Sequence, residues 1–148
     1  METKELTIPY MAKDFKLKQV GSTFRTRMAE KASATVIEAG DLVALDTNLI
    51  VKAGAASTKL AYAINAGADG ETSIEVTEGN DFTLTGTGDG VWSEDYRGDL
   101  AGISGTTDLL VDVTGASTNV IRLGVAEDAG VVDSTADIEF KIVLPIFE

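Results

Sequence analysis

From Ala34 onward the chain is built of short runs in which apolar and polar residues alternate, cut at close intervals by Gly, Asp, Asn, Ser and Thr. A period of two places successive side chains on opposite faces of a strand. Many such runs at short spacing predict an all-β sandwich or barrel. The last run is the clearest. Ile138, Phe140, Ile142 and Leu144 fall on one face and Asp137, Glu139 and Lys141 on the other, before Pro145 blocks further central pairing. Ile74 with Val76, Phe82 with Leu84, Leu109 with Val111 and Val113, and Ile121 with Leu123 and Val125 repeat the pattern. Two more strands are expected between Thr35 and Val51, joined by the polar turn Asp46-Thr47-Asn48. Ala68-Asp69-Gly70, Glu78-Gly79-Asn80 and Asp128-Ala129-Gly130 supply further turns. The core expected from this pattern is Leu42, Val43, Ile74, Val76, Phe82, Leu84, Val111, Ile138, Phe140 and Ile142.

The first 33 residues read differently. Arg, Met, Ala, Glu and Lys near Thr23 to Ala34 are good helix formers, so a short helix over 23–33 is expected within an otherwise extended N-terminal arm. A β-barrel or jelly-roll-like domain then occupies 34–148. Charge separates the same two regions. Residues 1–31 hold seven basic and four acidic side chains, a net +3, whereas the rest holds five basic and twenty acidic, a net −15. An acidic body repels phosphate backbones, which argues against nucleic acid as a partner. A basic segment is suited to an acidic protein surface.

Composition narrows the chemistry. The 148 residues form one domain, large enough to bury a core without a metal or disulfide. There is no Cys and no His. That removes thiol nucleophiles, imidazole bases and the usual zinc ligands, so neither an enzyme, a cofactor nor a metal site is expected. The N-terminus lacks the basic start and apolar stretch of a signal peptide, and Leu42 to Leu45 is far too short to span a bilayer. A soluble protein with no membrane partner is expected.

One stretch carries a resemblance. Gly40-Asp41 leads into Leu42-Val43-Ala44-Leu45-Asp46, then Leu49-Ile50-Val51-Lys52 returns. Leu60-Ala61-Tyr62-Ala63-Ile64, the turn Ala68-Asp69-Gly70-Glu71 and Ile74-Glu75-Val76 follow. Over a third to a half of the chain this order resembles the β-domain of capsid cement (decoration) proteins of tailed bacteriophages. The resemblance implies a small β-barrel or jelly-roll-like domain on the outer surface of a virion, made in the host cytoplasm. It also implies a terminal arm over neighbouring major capsid protein subunits, and a homo-trimer or homo-dimer at a local symmetry axis. The arm offers Tyr10, Lys13, Phe15, Lys16, Lys18, Phe24, Arg25 and Arg27 as interface candidates, residue types that protein interfaces favour. On this reading residues 1–20 are dispensable for folding.

A second stretch, Gly86 to Leu100, adds Trp92, Tyr96 and Arg97 as candidate contacts. Its Gly-x-Gly-x-Gly run lacks the Lys-Ser/Thr of a phosphate loop. Asp95-Tyr96-Arg97-Gly98 looks like one motif of trimeric dUTP pyrophosphatases, but Ser93 stands where that family has its catalytic aspartate, and its other motifs are missing. The carboxylates Glu94, Asp95, Asp99 and Asp108, and Glu127, Asp128 and Asp133, match no calcium-loop spacing and read as solvated turn residues. An exposed Trp92 would favour the alternative reading, a carbohydrate-binding or adhesive β-module.

Overall fold

The computed structural model describes residues 15–105, 109–113, 119–126 and 137–148, and the chain is all-β over these residues. The strands are β1 (Phe15–Val20), β2 (Arg25–Glu30), β3 (Leu42–Asp46), β4 (Leu49–Lys52), β5 (Ala61–Tyr62) and β6 (Ser73–Glu78). After them come β7 (Phe82–Thr87), β8 (Leu100–Ser104), β9 (Leu110–Asp112), β10 (Ile121–Ala126) and β11 (Asp137–Ile142). The turn Asp128-Ala129-Gly130 and the carboxylates Asp108, Glu127, Asp128 and Asp133 lie outside the described residues.

Six strands form one antiparallel sheet in the order β1-β7-β11-β10-β8-β9. That sheet curls on itself until β9 reaches the end of β7, where Gly88 and Val111 form a single parallel bridge and Asp89 N–H donates to the Val111 carbonyl at 3.0 Å. The remaining five strands form a second ring. Within it β2 pairs with β6, Ala63 bridges to Val76, β5 pairs with β3 and β3 with β4; Lys31 then bridges to Ile50. Barrel-like closure was expected once; the chain achieves it twice, through one isolated bridge in the first ring and two in the second.

Two apolar cores follow from the two rings. The larger gathers Phe15, Phe82, Leu84, Val111, Ile121, Leu123, Ile138, Phe140 and Ile142, among others, and the smaller gathers Ile37, Val43, Ile50, Ala61, Ala63, Ile74 and Val76. All ten expected core residues are buried. Strands β3 and β5 serve both cores. Leu42, Ala44, Leu60 and Tyr62 face the larger, while Val43, Ala61 and Ala63 face the smaller. A strand buried on both faces needs apolar residues at every position rather than every second one, which is why Leu42-Val43-Ala44 and Leu60-Ala61-Tyr62-Ala63 are continuous apolar runs.

Turn chemistry sets the registers. Thr47 and Asn48 both have positive φ, 52° and 70°, so β3 and β4 are joined by a two-residue turn of the type whose twist suits a hairpin. Gly70, at φ 91°, closes the turn before β6, where Glu71 N–H donates to the Ala68 carbonyl and the Glu71 side chain accepts from Ala68 N–H at 2.7 Å. In β10 a bulge between Leu123 and Ala126 turns Ala126 inward in place of Val125. Leu144, expected inward, is 44% exposed. The strand ends at Ile142, and the tail leaves to pair with Leu60: Leu60 N–H donates to Leu144 and Ile146 N–H to Leu60.

The expected helix near 23–33 is absent, because Arg25–Glu30 is β2, paired residue for residue with β6 from Arg25↔Glu78 to Glu30↔Ser73. Helix propensity over so few residues is weaker than a complete strand ladder. The boundary at residue 33 dissolves with it. β1 and β2 run beside β7 and β6 as one long ribbon that bends from the first ring to the second. Asp81 pins the bend: its Oδ2 accepts from Thr23 N–H at 2.9 Å and Thr23 Oγ1 at 2.5 Å, and its carbonyl accepts from Gly21 N–H. The Thr23 side-chain and backbone donors hold the Asp81 carboxyl below its ordinary range.

Two stability predictions follow from this packing. A Cβ at Gly86 would lie 2.4 Å from the Phe15 ring, whereas one at Gly54 meets nothing within 4 Å. In urea melts Gly86→Ala should lose about 1–3 kcal/mol, while Gly54→Ala stays within about 0.5 kcal/mol of the parent; equal midpoints would refute the Phe15–Gly86 packing. Tyr62 supplies the second. Its buried hydroxyl donates to the Phe15 carbonyl at 3.2 Å. Burial pushes its pKa from 10.0 to about 12 against a downward pull from the Leu17 backbone, with Asp41 adding a smaller upward push. A folded-state pKa raised this way leaves Tyr62's contribution intact below its ordinary pKa, and that contribution is lost as pH climbs through about 12. Tyr62→Phe should flatten that alkaline loss of stability, and an unchanged slope would refute the assignment.

Candidate protein-binding surface

The sequence-derived candidates separate into three groups. Tyr10 and Lys13 lie outside the described residues. Phe15 and Trp92 are buried, so neither is a surface anchor. Phe15 fills the larger core, its ring edge-on to Phe140 at 5.5 Å. Trp92 is 6% exposed; its indole N–H donates to Glu94 Oε2 at 2.8 Å, and its ring meets Tyr96 edge-on at 5.8 Å. The indole is thereby satisfied where it sits. Phe24 is half-buried, edge-on to Phe82 at 5.7 Å. The arm's aromatic residues at 15 and 24 thus fold onto the chain's own core.

The remaining candidates stand at three places and are exposed charges, except Tyr96, which is half-buried against the larger core. Lys16 and Lys18 stand on β1, at the edge of the six-stranded sheet, with Lys18 Nζ 3.8 Å from Glu139 on β11. Arg25 and Arg27 stand on β2 and share Glu78, Arg25 Nε at 3.0 Å and Arg27 Nη1 at 3.4 Å. Arg27 also lies over the Phe147 ring, 4.3 Å from its centroid. Tyr96 and Arg97 sit on the short 3₁₀ turn Glu94–Tyr96, which Ser93 caps by accepting from Asp95 N–H, and Arg97 approaches Glu94 at 3.8 Å. Exposed pairs of this kind contribute at most about 1 kcal/mol, so the arginines remain available to a partner.

Sequence reasoning missed the feature that surrounds Arg27. β4 meets β2 only at Lys31 and Ile50, where Ala32 N–H donates to the Ile50 carbonyl at 3.0 Å; the hairpin then turns back at Thr47-Asn48. A groove of about 340 Å³ opens beyond that point, lined by Arg27, Met28, Ala29, Glu30, Leu45, Asn48, Ile50 and Phe147. Met28 is 61% exposed and Leu45 44%. Reading β2 as a helix hid this groove, since only a strand register places Met28 at an edge beside Leu45.

Lys31 seals the closed end of the groove. Its side chain is 1% exposed, Nζ donates to the Ala32 carbonyl at 2.7 Å and also to that of Thr35, and its stem lies over Gly67. A Cβ at Gly67 would fall 2.7 Å from that stem. Among the described residues no three His, Cys, Asp or Glu side chains converge to hold a metal ion, and no helix is long and apolar enough to cross a membrane. Protein-family models, curated proteins and solved structures were all compared with the chain, and none matches. Removing the ammonium by Lys31→Met takes the donor from the Thr35 carbonyl, while the Ala32 carbonyl still accepts from Thr35 N–H, and should cost about 1–3 kcal/mol of stability in urea. A neutral result would mean that the seam closes without Lys31.

Proposed function

We propose that this chain is a structural virion protein that binds the outer surface of a phage capsid and clamps neighbouring major capsid protein subunits. The reading is carried by the Gly40–Val76 segment. The strand order that resembles capsid cement proteins is realised as a hairpin, a return strand, a glycine turn and a paired strand. The exposed arginines of β2 and the groove beside them support a role in binding protein rather than small molecules. An oligomer, trimer or dimer, would multiply weak contacts into avidity. The carbohydrate-binding alternative takes no support from Trp92, whose ring is inside the fold.

Residues 1–20 are not a detachable unit on this reading, because Phe15 is core and β1 is paired to β7. Removing 1–20 should destabilise the fold by at least the ~3–5 kcal/mol of a lost buried Phe. The informative truncation removes 1–14. Co-sedimentation with empty, expanded phage shells should saturate at a fixed ratio to the major capsid protein, and the 1–14 truncation should keep its melting curve and bind more weakly. Failure of the full chain to saturate on any such shell would overturn the proposal.

A further inference from the structure

The groove beside β2 has the dimensions and the chemistry of a missing strand. Four consecutive residues, Arg27 to Glu30, line it, so it runs along the strand's edge rather than into one face. The β2–β6 ladder fixes which backbone groups point there. Lys31 N–H donates to the Thr72 carbonyl, and Lys31 opposite Thr72 continues the register of Arg25↔Glu78. In an antiparallel pair hydrogen-bonded positions alternate. Arg25, Arg27 and Ala29 therefore direct their N–H and C=O groups to β6, and Thr26, Met28 and Glu30 direct theirs outward. The Ala32 N–H bond to Ile50 on the outer side agrees with this phase. Beyond the hairpin tip no strand covers the outward groups of Thr26 and Met28 among the described residues, whereas the Glu30 carbonyl faces Ile50 N–H in the Lys31–Ile50 bridge.

We infer that the outer edge of β2 accepts an extended strand from a partner polypeptide, with an apolar side chain in the Leu45–Phe147 groove and acidic side chains toward Arg25 and Arg27. An unpaired edge is satisfied by another extended backbone, which supplies donors and acceptors at the matching spacing. The groove's volume, about 340 Å³, holds one large apolar side chain, with Met28, Leu45, Ile50 and Phe147 as its walls. Charge selects the neighbours of that side chain. The two exposed cations of the strand already share Glu78, so a second carboxylate from outside finds guanidinium donors in place. This rests on the chain's being a protein-binding module but not on the identity of the shell, so failure on capsids and failure at this edge are separate results.

The test uses the full chain and a synthetic hexapeptide in which threonines alternate with glutamate, glutamate and isoleucine, so that both carboxylates and the apolar side chain share the Arg27–Phe147 face, followed by backbone amide exchange and chemical shift. Binding should newly protect the Thr26, Met28 and Glu30 amides while those of Arg25, Arg27 and Ala29, already in the ladder, change little. Replacing the glutamates by lysines should weaken binding by at least about tenfold. Met28→Pro removes an outward N–H without touching a β6 bond, so it should abolish binding while keeping the fold. If Met28→Pro unfolds, Met28→Glu serves instead: it keeps the backbone, repels the acidic peptide and should also bind at least about tenfold more weakly. Protection spread over both sets of amides, or equal binding of the lysine peptide, would overturn the inference. So would protection of the same three amides by concentration-dependent self-association without peptide, since a second copy would then be the occupant.

Discussion

Everything in this fold leans on a wall two strands wide. β3 and β5 are buried on both faces, with Leu42, Ala44, Leu60 and Tyr62 on the larger core and Val43, Ala61 and Ala63 on the smaller. Neither core is complete without them. The small side chains Ala44, Ala61 and Ala63 let the wall stay thin, and its backbone is satisfied outside the regular pairs as well: Tyr62 N–H donates to Thr77 Oγ1, and Ala63 N–H to the Asp41 carbonyl. A buried amide left without such a partner costs roughly as much as a lost hydrogen bond. The wall therefore couples the rings, and a change on one of its faces is felt in both.

The same arrangement explains which parts of the structure the sequence made legible. Alternation worked wherever a strand has one wet face, as in β6, β7 and β11. The turn Asp46-Thr47-Asn48 was legible because few residues tolerate positive φ twice in succession. Alternation failed at β10, where a bulge shifts the phase within one strand, and at Leu144, where the tail leaves the sheet. β2 was hidden for a different reason. Its residues Arg25, Met28, Ala29 and Glu30 favour a helix locally, and only pairing with β6, more than forty residues away, overrides that preference. Pairing at such range leaves no mark in a short window of sequence.

The candidate surface shows the same division. Arg25 and Arg27 are exposed as the sequence implied, and Lys16 and Lys18 with them. The aromatic residues misled, because an aromatic side chain in a basic segment reads equally as an anchor or as core, and the core claimed Phe15 and Trp92. The groove beside Met28 exists only through the juxtaposition of a strand edge, a hairpin tip and the C-terminal Phe147. No one of these segments announces it.

The long ribbon has a consequence for how the protein is made. β1 and β2 leave the ribosome ahead of the partners they need, β7 and β6, whose paired residues follow some forty to seventy positions later. At about 5–20 residues per second the early strands wait for several seconds, longer than a hairpin needs to form. Lys16, Lys18, Arg25 and Arg27 stand at intervals along this waiting segment, and like charges on neighbouring nascent chains repel. The cations that line the finished edge thus also protect the unfinished one, during the interval when the chain has strands but nowhere to put them.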